Sequence, residues 1–194
     1  VKFVVIVRRY LSIFVGWPAY RVQGMGKSTS VAVIDDDEDY RQLYKLWLPE
    51  EYEVIEAGDG RTGLQCVDDS VDAVLLDRQM PELSGETVAE RLRQRSVTPA
   101  VVMISSVKPD VDILDIPVDS YLRKPADRDT LLSVLSTVRT RCEYEAQRRE
   151  LLGLADRRAT VADAVRATAL AESDAYRRAV ERLEQHDVSL ADAV

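Results

Sequence analysis

Short apolar runs alternate with stretches of helical spacing between residues 30 and 140 of the chain. The runs read SVAVI, YEVIEA, VDAVLL, AVVMI and DSYL, and the stretches between them repeat apolar positions every three or four residues. Between the fourth and fifth runs, DVDILD carries only a weak helical pattern. Five strand–helix repeats of this length predict an α/β fold, a doubly wound five-stranded parallel sheet with helices on both faces. Functional groups should gather at the carboxyl ends of its strands.

The chain changes in composition after residue 140. Residues 141–194 are rich in alanine, arginine and glutamate, and they contain no proline and only one glycine. This composition predicts a C-terminal α-helical module in two or three pieces, with one helix starting at Ser173-Asp174. Its alternating charges predict solvated faces, and an interrupted apolar stripe could form either a helical hairpin or a dimer seam. The stripe contains Leu151, Leu154, Val161, Val165, Tyr176, Val180 and Leu183.

Residues 1–27 differ from everything that follows them. They hold both phenylalanines of the chain and five basic residues without an acidic one. Their apolar runs are too short to span a bilayer, and the charges inside the apolar stretch do not follow the order of a signal peptide. We therefore expect a non-native or disordered extension over 1–27, ahead of a domain over 28–140. We hypothesise that translation starts at Met25 and that 1–24 is upstream sequence read in frame, which N-terminal sequencing of the native protein would test.

The net charge of −8 arises in residues 28–140, which hold 23 acidic and 12 basic side chains. An acidic domain repels a phosphate backbone at long range, so we expect no nucleic-acid partner. We also expect no membrane partner, because the apolar runs of the N-terminal segment are too short to span a bilayer. The two cysteines, Cys66 and Cys142, are too few for a disulfide framework or a metal cluster. The simplest interpretation is a reduced cytoplasmic protein.

Polar side chains stand at the ends of four predicted strands. Asp35 and Asp36 follow the first strand, Asp77 ends the third, Ser105 ends the fourth and Lys124 follows the fifth. In a parallel sheet these ends meet at one edge, where crowded carboxylates call for a hard divalent cation such as Mg²⁺. A lysine and a hydroxyl beside them suit phosphoryl transfer, which depends on positioning and charge stabilisation. A carboxylate nucleophile would then carry the phosphoryl group as an aspartyl phosphate.

Four segments, VAVIDDDEDY, VLLDRQMP, VVMISS and YLRKP, together resemble the receiver domain of two-component response regulators over about residues 30–140. The resemblance implies a flavodoxin-like receiver fold and a signalling switch that accepts a phosphoryl group from a sensor histidine kinase. It implies Mg²⁺ as cofactor. It also implies that the protein is not a turnover enzyme, with self-catalysed phosphotransfer and autodephosphorylation as its only reactions.

The resemblance assigns Asp77 as the phospho-acceptor. Asp35 and Asp36 match the acidic pair that holds Mg²⁺ together with Asp77, and the backbone carbonyl of Gln79 is expected as a further ligand. Asp37 is expected to start the following helix rather than bind the metal.

The remaining matched residues concern the phosphate and the conformational switch. Lys124 matches the lysine that contacts the phosphate, and the Lys124-Pro125 bond is expected to be cis. Ser105 matches the switch hydroxyl and Tyr121 the switch aromatic. Ser106 departs from the small residue that is common after the switch hydroxyl, and we expect it to slow the access of attacking water.

The C-terminal segment is similar to the HalX domain that follows receivers in halophilic archaea, a resemblance that does not supply its biochemical role. We expect it to contact a protein output partner or to form a homodimer. Two other functions remain open. One is a DNA-binding transcriptional regulator with the helical tail as effector, although no helix-turn-helix with a basic recognition helix is visible. The other is a Mg²⁺-dependent phosphohydrolase, which would need an acid/base residue where the chain has Gln79.

Overall fold

The computed structural model describes residues 28–95, 99–142, 144, 146–186 and 188, so the predicted extension over 1–27 lies outside the described residues. Five strands form one parallel sheet in the order β2-β1-β3-β4-β5. This confirms the predicted fold class. The strands are β1 (Thr29–Ile34), β2 (Tyr52–Ala57), β3 (Ala73–Asp77), β4 (Ala100–Ser105) and β5 (Ser120–Arg123).

Helices connect the strands and continue beyond the sheet. They are α1 (Glu38–Trp47), α2 (Gly60–Cys66), α3 (Gly85–Arg93), α4 (Arg128–Arg141), α5 (Ala146–Ala164), α6 (Ala167–Glu172) and α7 (Asp174–Gln185). The weakly patterned DVDILD segment forms only a short 3-10 helix, Val111–Asp115, between β4 and β5. Within the described ranges, no helix is long and apolar enough to cross a membrane.

Side-chain caps explain where most of these helices start. Asp37 accepts a hydrogen bond from the Asp39 amide ahead of α1, which confirms the predicted helix-start role of Asp37. Ser173 accepts one from the Tyr176 amide ahead of α7, as its position before Asp174 predicts. The same device precedes three other helices, at Asp59, Ser84 and Asp127.

The sheet separates two apolar layers. Alternate residues of β1 and β3, such as Val31, Val33 and Leu75, pack under α1 and α4. The residues between them, such as Ile34 and Leu76, pack on the opposite face under α2 and α3. Because the central strands are buried on both faces, they read as near-continuous apolar runs in the sequence.

The C-terminal helices belong to the second of these layers. Buried residues of α5 and α7 join the same cluster as those of the 3-10 helix and of β5. The apolar stripe of the tail therefore packs within the chain, and α5 also contacts α7. From the tail, the cluster takes Leu151, Leu154, Ala155, Val161, Ala179 and Leu183.

Two arginines of α5 are buried against the sheet, which corrects the expectation that the charges of this segment form solvated faces. Arg149 donates to the carboxylate of Asp119 and to the Pro99 carbonyl, and Arg157 donates to the Val118 carbonyl. Both side chains reach backbone or carboxylate oxygens at the amino end of β5, where a guanidinium has strong acceptors.

Gly153 lies on the same face of α5 as these arginines. A Cβ atom at this position would stand 3.1 Å from the Val118 carbonyl oxygen, a tight contact that glycine avoids where the helix comes near this backbone. The approach brings α5 directly onto the segment that leads into β5.

Candidate functional site

The side chains of Asp35, Asp77 and Lys124 meet at the carboxyl edge of the sheet, as their positions in the sequence predict. The Lys124 ammonium donates to Asp35 Oδ2 at 2.6 Å and to Asp77 Oδ1 at 2.7 Å. All three residues are buried, so the two ion pairs are shielded from solvent. One cation thus bridges two carboxylates from different strands.

Backbone contacts hold these residues in place. The Asp35 amide donates to the Ala57 carbonyl, and Asp35 Oδ1 accepts from the Asp37 amide at 3.0 Å. The Lys124 amide donates to the carbonyl of Ser105 at 2.8 Å. The Lys124-Pro125 peptide bond is cis, as expected from the sequence.

The loop after β3 folds tightly around Asp77. Asp77 Oδ2 accepts from the Gln79 amide at 2.6 Å, and the Gly85 amide returns to donate to the Arg78 carbonyl at 2.9 Å. A Cβ atom at Gly85 would overlap the Asp77 carbonyl oxygen, so the close approach of α3 requires glycine here. The orientation of the Asp77 carboxylate is therefore fixed from both sides.

The charges in this cluster shift the pKa values of two residues. Burial acts to lower the pKa of Lys124, but hydrogen bonds to Asp35 and Asp77 outweigh it and raise that pKa. Burial raises the pKa of Asp35, against the opposing effect of the hydrogen bond from Lys124. Lys124 therefore stays fully charged at neutral pH.

The two other predicted metal ligands lie at the rim. Asp36 and Gln79 are exposed and line one open pocket above the buried carboxylates, together with Arg78, Met80, Pro81, Ser84, Glu86 and Val107. Among the described residues, no three acidic, histidine or cysteine side chains converge as a ready metal site. The structure thus brings Asp35 and Asp77 together on Lys124, and Asp36 is exposed at the rim.

Ser105 and Tyr121, the predicted switch residues, converge on Val107. The Ser105 hydroxyl accepts from the Val107 amide at 3.1 Å, and the Tyr121 hydroxyl donates to the Val107 carbonyl at 2.9 Å. Both side chains are buried. Val107 begins the segment that runs into the 3-10 helix, so the two side chains together fix its starting point.

Residues 31–136 match a protein-family model described as the response regulator receiver domain, and this match covers more than half of the chain. The chain belongs to the response regulator receiver domain family. The bridged carboxylates therefore lie in a receiver domain, at the edge of the sheet where the sequence predicts the phosphorylation site.

Curated relatives share this receiver domain over part of their length. A Haloferax volcanii protein, provisionally named a transcriptional regulator, is 38% identical over 125 residues, which are 64% of this chain and 22% of that protein. The transcriptional regulatory protein CpxR of Escherichia coli is 33% identical over 121 residues, or 60% of this chain and 52% of CpxR. The chain thus spans about half of CpxR and about a fifth of the Haloferax protein.

Solved structures show the same fold. The crystal structure of a response regulator receiver domain protein from Clostridium thermocellum aligns with a TM-score of 0.53 and 25% sequence identity. The alignment covers 59% of this chain and 97% of that one. The receiver part therefore accounts for the likeness.

Two residues of the receiver site are not singled out by the sequence. The Tyr40 ring lies against the Lys124 ammonium, 4.0 Å from Nζ to the ring centroid. Arg78, next to Asp77, pairs with Glu86 at 2.7 Å and also with Asp112 of the 3-10 helix. In the sequence, Tyr40 stands shortly after Asp36, and Arg78 directly follows Asp77. Neither position by itself indicates a role in the site.

Proposed function

We propose that this protein is a phospho-accepting switch whose Asp77 receives a phosphoryl group from a sensor histidine kinase. The observation that carries the proposal is the Lys124 ammonium, which bridges Asp35 and Asp77 at the carboxyl edge of a receiver sheet. A buried carboxylate with a fixed orientation and a cation beside it suits a nucleophile whose product gains negative charge.

The transfer joins a carboxylate oxygen of Asp77 to phosphorus. The phosphorus–nitrogen bond of the donor phosphohistidine breaks, and its electron pair stays with the imidazole nitrogen, which takes up a proton. Lys124 moves its hydrogen bond from the Asp77 carboxylate to a phosphoryl oxygen, and the Gln79 amide keeps Asp77 oriented. The Ser105 hydroxyl, now paired with the Val107 amide, is available to donate to a second phosphoryl oxygen.

The donor set fits a divalent cation of the magnesium type. Asp35, Asp36 and Asp77 carry three negative charges against the one positive charge of Lys124, and every ligand offered is an oxygen. We propose that these carboxylates and the carbonyl of Gln79 hold Mg²⁺. When bound, the ion would supply charge neutralisation at the arriving phosphoryl group.

The signal leaves the site through Val107. If Ser105 turns toward the phosphoryl group, the Val107 amide loses its acceptor, and Tyr121 holds the carbonyl of Val107 at a changed position. The segment that follows carries the 3-10 helix on which α7 packs. We propose that phosphorylation thereby changes how a HalX-like C-terminal module contacts a partner protein or a second copy of the chain.

A DNA-binding transcriptional regulator is the alternative, because the relatives carry that name. The matched family model ends at residue 136, ahead of residues 141–194, and this segment has nine basic against eleven acidic side chains. Gel shifts at low and high salt, with and without phosphorylation, decide between the two. A phosphorylation-dependent shift that weakens with salt would favour DNA binding.

Incubation with acetyl phosphate and Mg²⁺ tests the proposed phosphorylation. Intact-mass spectrometry should show one added HPO₃ group on the unaltered chain and on the control Asp129→Asn, but none on Asp77→Asn. Removal of Mg²⁺ with EDTA should suppress the adduct. An adduct that persists in Asp77→Asn would contradict the assignment, and one that is indifferent to EDTA would contradict the metal.

The same chemistry could support a phosphohydrolase, but the residue two positions after Asp77 is Gln79, whose amide cannot act as a general acid or base. We propose a switch that dephosphorylates slowly and has no turnover substrate. Phosphate release from p-nitrophenyl phosphate should not exceed that of Asp77→Asn. Sustained release above that level would favour the hydrolase.

A further inference from the structure

Among the described residues, the Lys124 ammonium contacts two carboxylates and one aromatic ring. Asp35 Oδ2 and Asp77 Oδ1 take two of its hydrogens, and the face of the Tyr40 ring covers another side at 4.0 Å. We propose that Tyr40 is a positioning residue for phosphoryl transfer, holding the ammonium where the phosphoryl oxygens will arrive. This inference rests on the proposed function and adds to it a residue that acts through Lys124.

The Tyr40 ring is held in place by an aromatic column along α1. It stacks on Tyr44 with ring centroids 5.9 Å apart and an angle of 25°, and Tyr44 meets the edge of Trp47 at 5.9 Å. The spacing of the three residues, four and then three, places them on one face of the helix. Tyr44 is buried, so the column is anchored in the apolar layer under α1.

The start of α1 brings this ring to the site. The helix begins directly after the Asp37 cap, so its first turn lies above the end of β1. Tyr40 falls in that turn, and the Lys124 side chain comes from the end of β5, on the other side of β3 and β4. The contact therefore joins two elements that are distant in the sequence and separated by two strands of the sheet, β3 and β4.

An aromatic face suits this position because it attracts an ammonium without competing for it as an acid or base. The ring quadrupole stabilises a nearby cation, and more strongly where water is excluded. A carboxylate in the same place would hold Lys124 back from the phosphate, whereas a ring tolerates a small shift of the cation. When Asp77 becomes bonded to phosphorus, Lys124 loses a carboxylate partner there and keeps the ring.

Three variants test the role. Tyr40→Leu removes the ring, Tyr40→Phe keeps it without the hydroxyl, and Tyr52→Leu repeats the same change at the far end of β2, beside the same apolar layer. With acetyl phosphate and Mg²⁺, the rate of phosphorylation should fall about fivefold to thirtyfold in Tyr40→Leu, the range expected for a shielded cation–π contact. It should stay within about twofold of the unaltered chain in the other two.

A second readout does not depend on phosphorylation. The side-chain ¹H and ¹⁵N resonances of Lys124 should carry a ring-current shift that Tyr40→Phe retains, Tyr40→Leu loses and Tyr52→Leu leaves in place. If the unaltered chain is not phosphorylated at all, the proposed function fails, while this shift still tests the contact.

Two results would overturn the inference. One is a Tyr40→Phe variant as slow as Tyr40→Leu, which would assign the effect to the hydroxyl rather than to the ring. The other is a Tyr40→Leu variant that reacts at the unaltered rate with unchanged Lys124 resonances. Thermal unfolding of Tyr40→Leu beside Tyr52→Leu shows whether a slow rate merely reflects lost stability.

Discussion

The guanidinium of Arg149 donates two hydrogen bonds to the carboxylate of Asp119, from Nε at 2.9 Å and from Nη2 at 2.8 Å. Asp119 stands just before β5 and also accepts from the Val101 amide and from Arg93. Both partners of the central pair are buried. A helix of the C-terminal segment is therefore fastened to the receiver sheet by a charge pair shielded from solvent.

Breaking this pair from one side should strongly destabilise the protein. Asp119→Asn leaves two guanidinium groups facing a neutral amide, and we expect the free energy of unfolding to fall by about 3 kcal/mol. Urea unfolding followed by circular dichroism measures the change. The matched control is Glu150→Gln on the same helix, whose exposed pair with Arg182 should contribute less than about 1 kcal/mol. Equal losses in the two variants would contradict the buried role.

The same pair should make stability depend on pH in acid. Burial acts to raise the pKa of Asp119, but Arg149 and Arg93 outweigh it and hold that pKa below its usual range. The folded-state pKa lies below the unfolded value of about 3.9, so the stabilisation is present above that pH and is lost as pH falls through the folded pKa.

Urea titrations across pH values check this sign. The difference in unfolding free energy between the unaltered chain and Asp119→Asn should be constant between about pH 6 and 8 and should shrink below about pH 4. A difference that grows as the pH falls would mean that the pKa of Asp119 is raised.

Gly85 should resist substitution more than an ordinary glycine. In Gly85→Ala the new methyl group would overlap the Asp77 carbonyl oxygen, so α3 or the loop must move, and we expect a loss of about 2 to 3 kcal/mol. The displaced loop should also slow the proposed phosphorylation of Asp77. Gly58→Ala is the control, because its methyl group meets only the Arg41 side chain at ordinary contact distance. Its stability should change by less than about 0.5 kcal/mol.

Val107 should report the state of the two predicted switch residues, Ser105 and Tyr121. Ser105→Ala removes the acceptor of the Val107 amide, and hydrogen exchange at this amide should become about fivefold faster, the equivalent of one net hydrogen bond. Tyr121→Phe removes only the donor to the carbonyl, so its effect on the amide should be smaller. The control is Thr137→Ala, which removes a hydroxyl on α4 far from Val107. Exchange of the Val107 amide in this variant, measured by NMR, should match the unaltered chain. Unchanged exchange in Ser105→Ala would show that the hydroxyl does not hold this segment.

The strand ends were predictable because they follow from local pattern and from one topological rule. Asp35, Asp77 and Lys124 each terminate or follow a short apolar run, and parallel strands bring such ends to one edge. No further knowledge of packing is needed to expect them together. The exposure of Asp36 at the rim was not predictable, because it depends on which way neighbouring side chains turn.

Contacts between distant segments could not be predicted in this way. Arg149 and Arg157 stand next to Arg148 and Arg158 in an alanine-rich helix, and charge alternation gives no sign of which two are buried. The identity of their partners depends on how α5 docks, which in turn depends on Gly153 and on the short 3-10 helix. The contact between Tyr40 and Lys124 was likewise not predictable, because the sequence shows Tyr40 only as a position of helix α1.

Because the 3-10 helix is short, the receiver sheet depends on the C-terminal helices to cover part of its apolar face. Five residues cover little of the sheet face between α3 and β5, and Leu151, Leu154 and Leu183 complete the apolar layer there. A different output module grafted after α4 would leave Ile113 and Val118 facing water. The C-terminal helices of this receiver are thus not interchangeable parts, and a chimera would have to carry α5 and α7 along with the sheet.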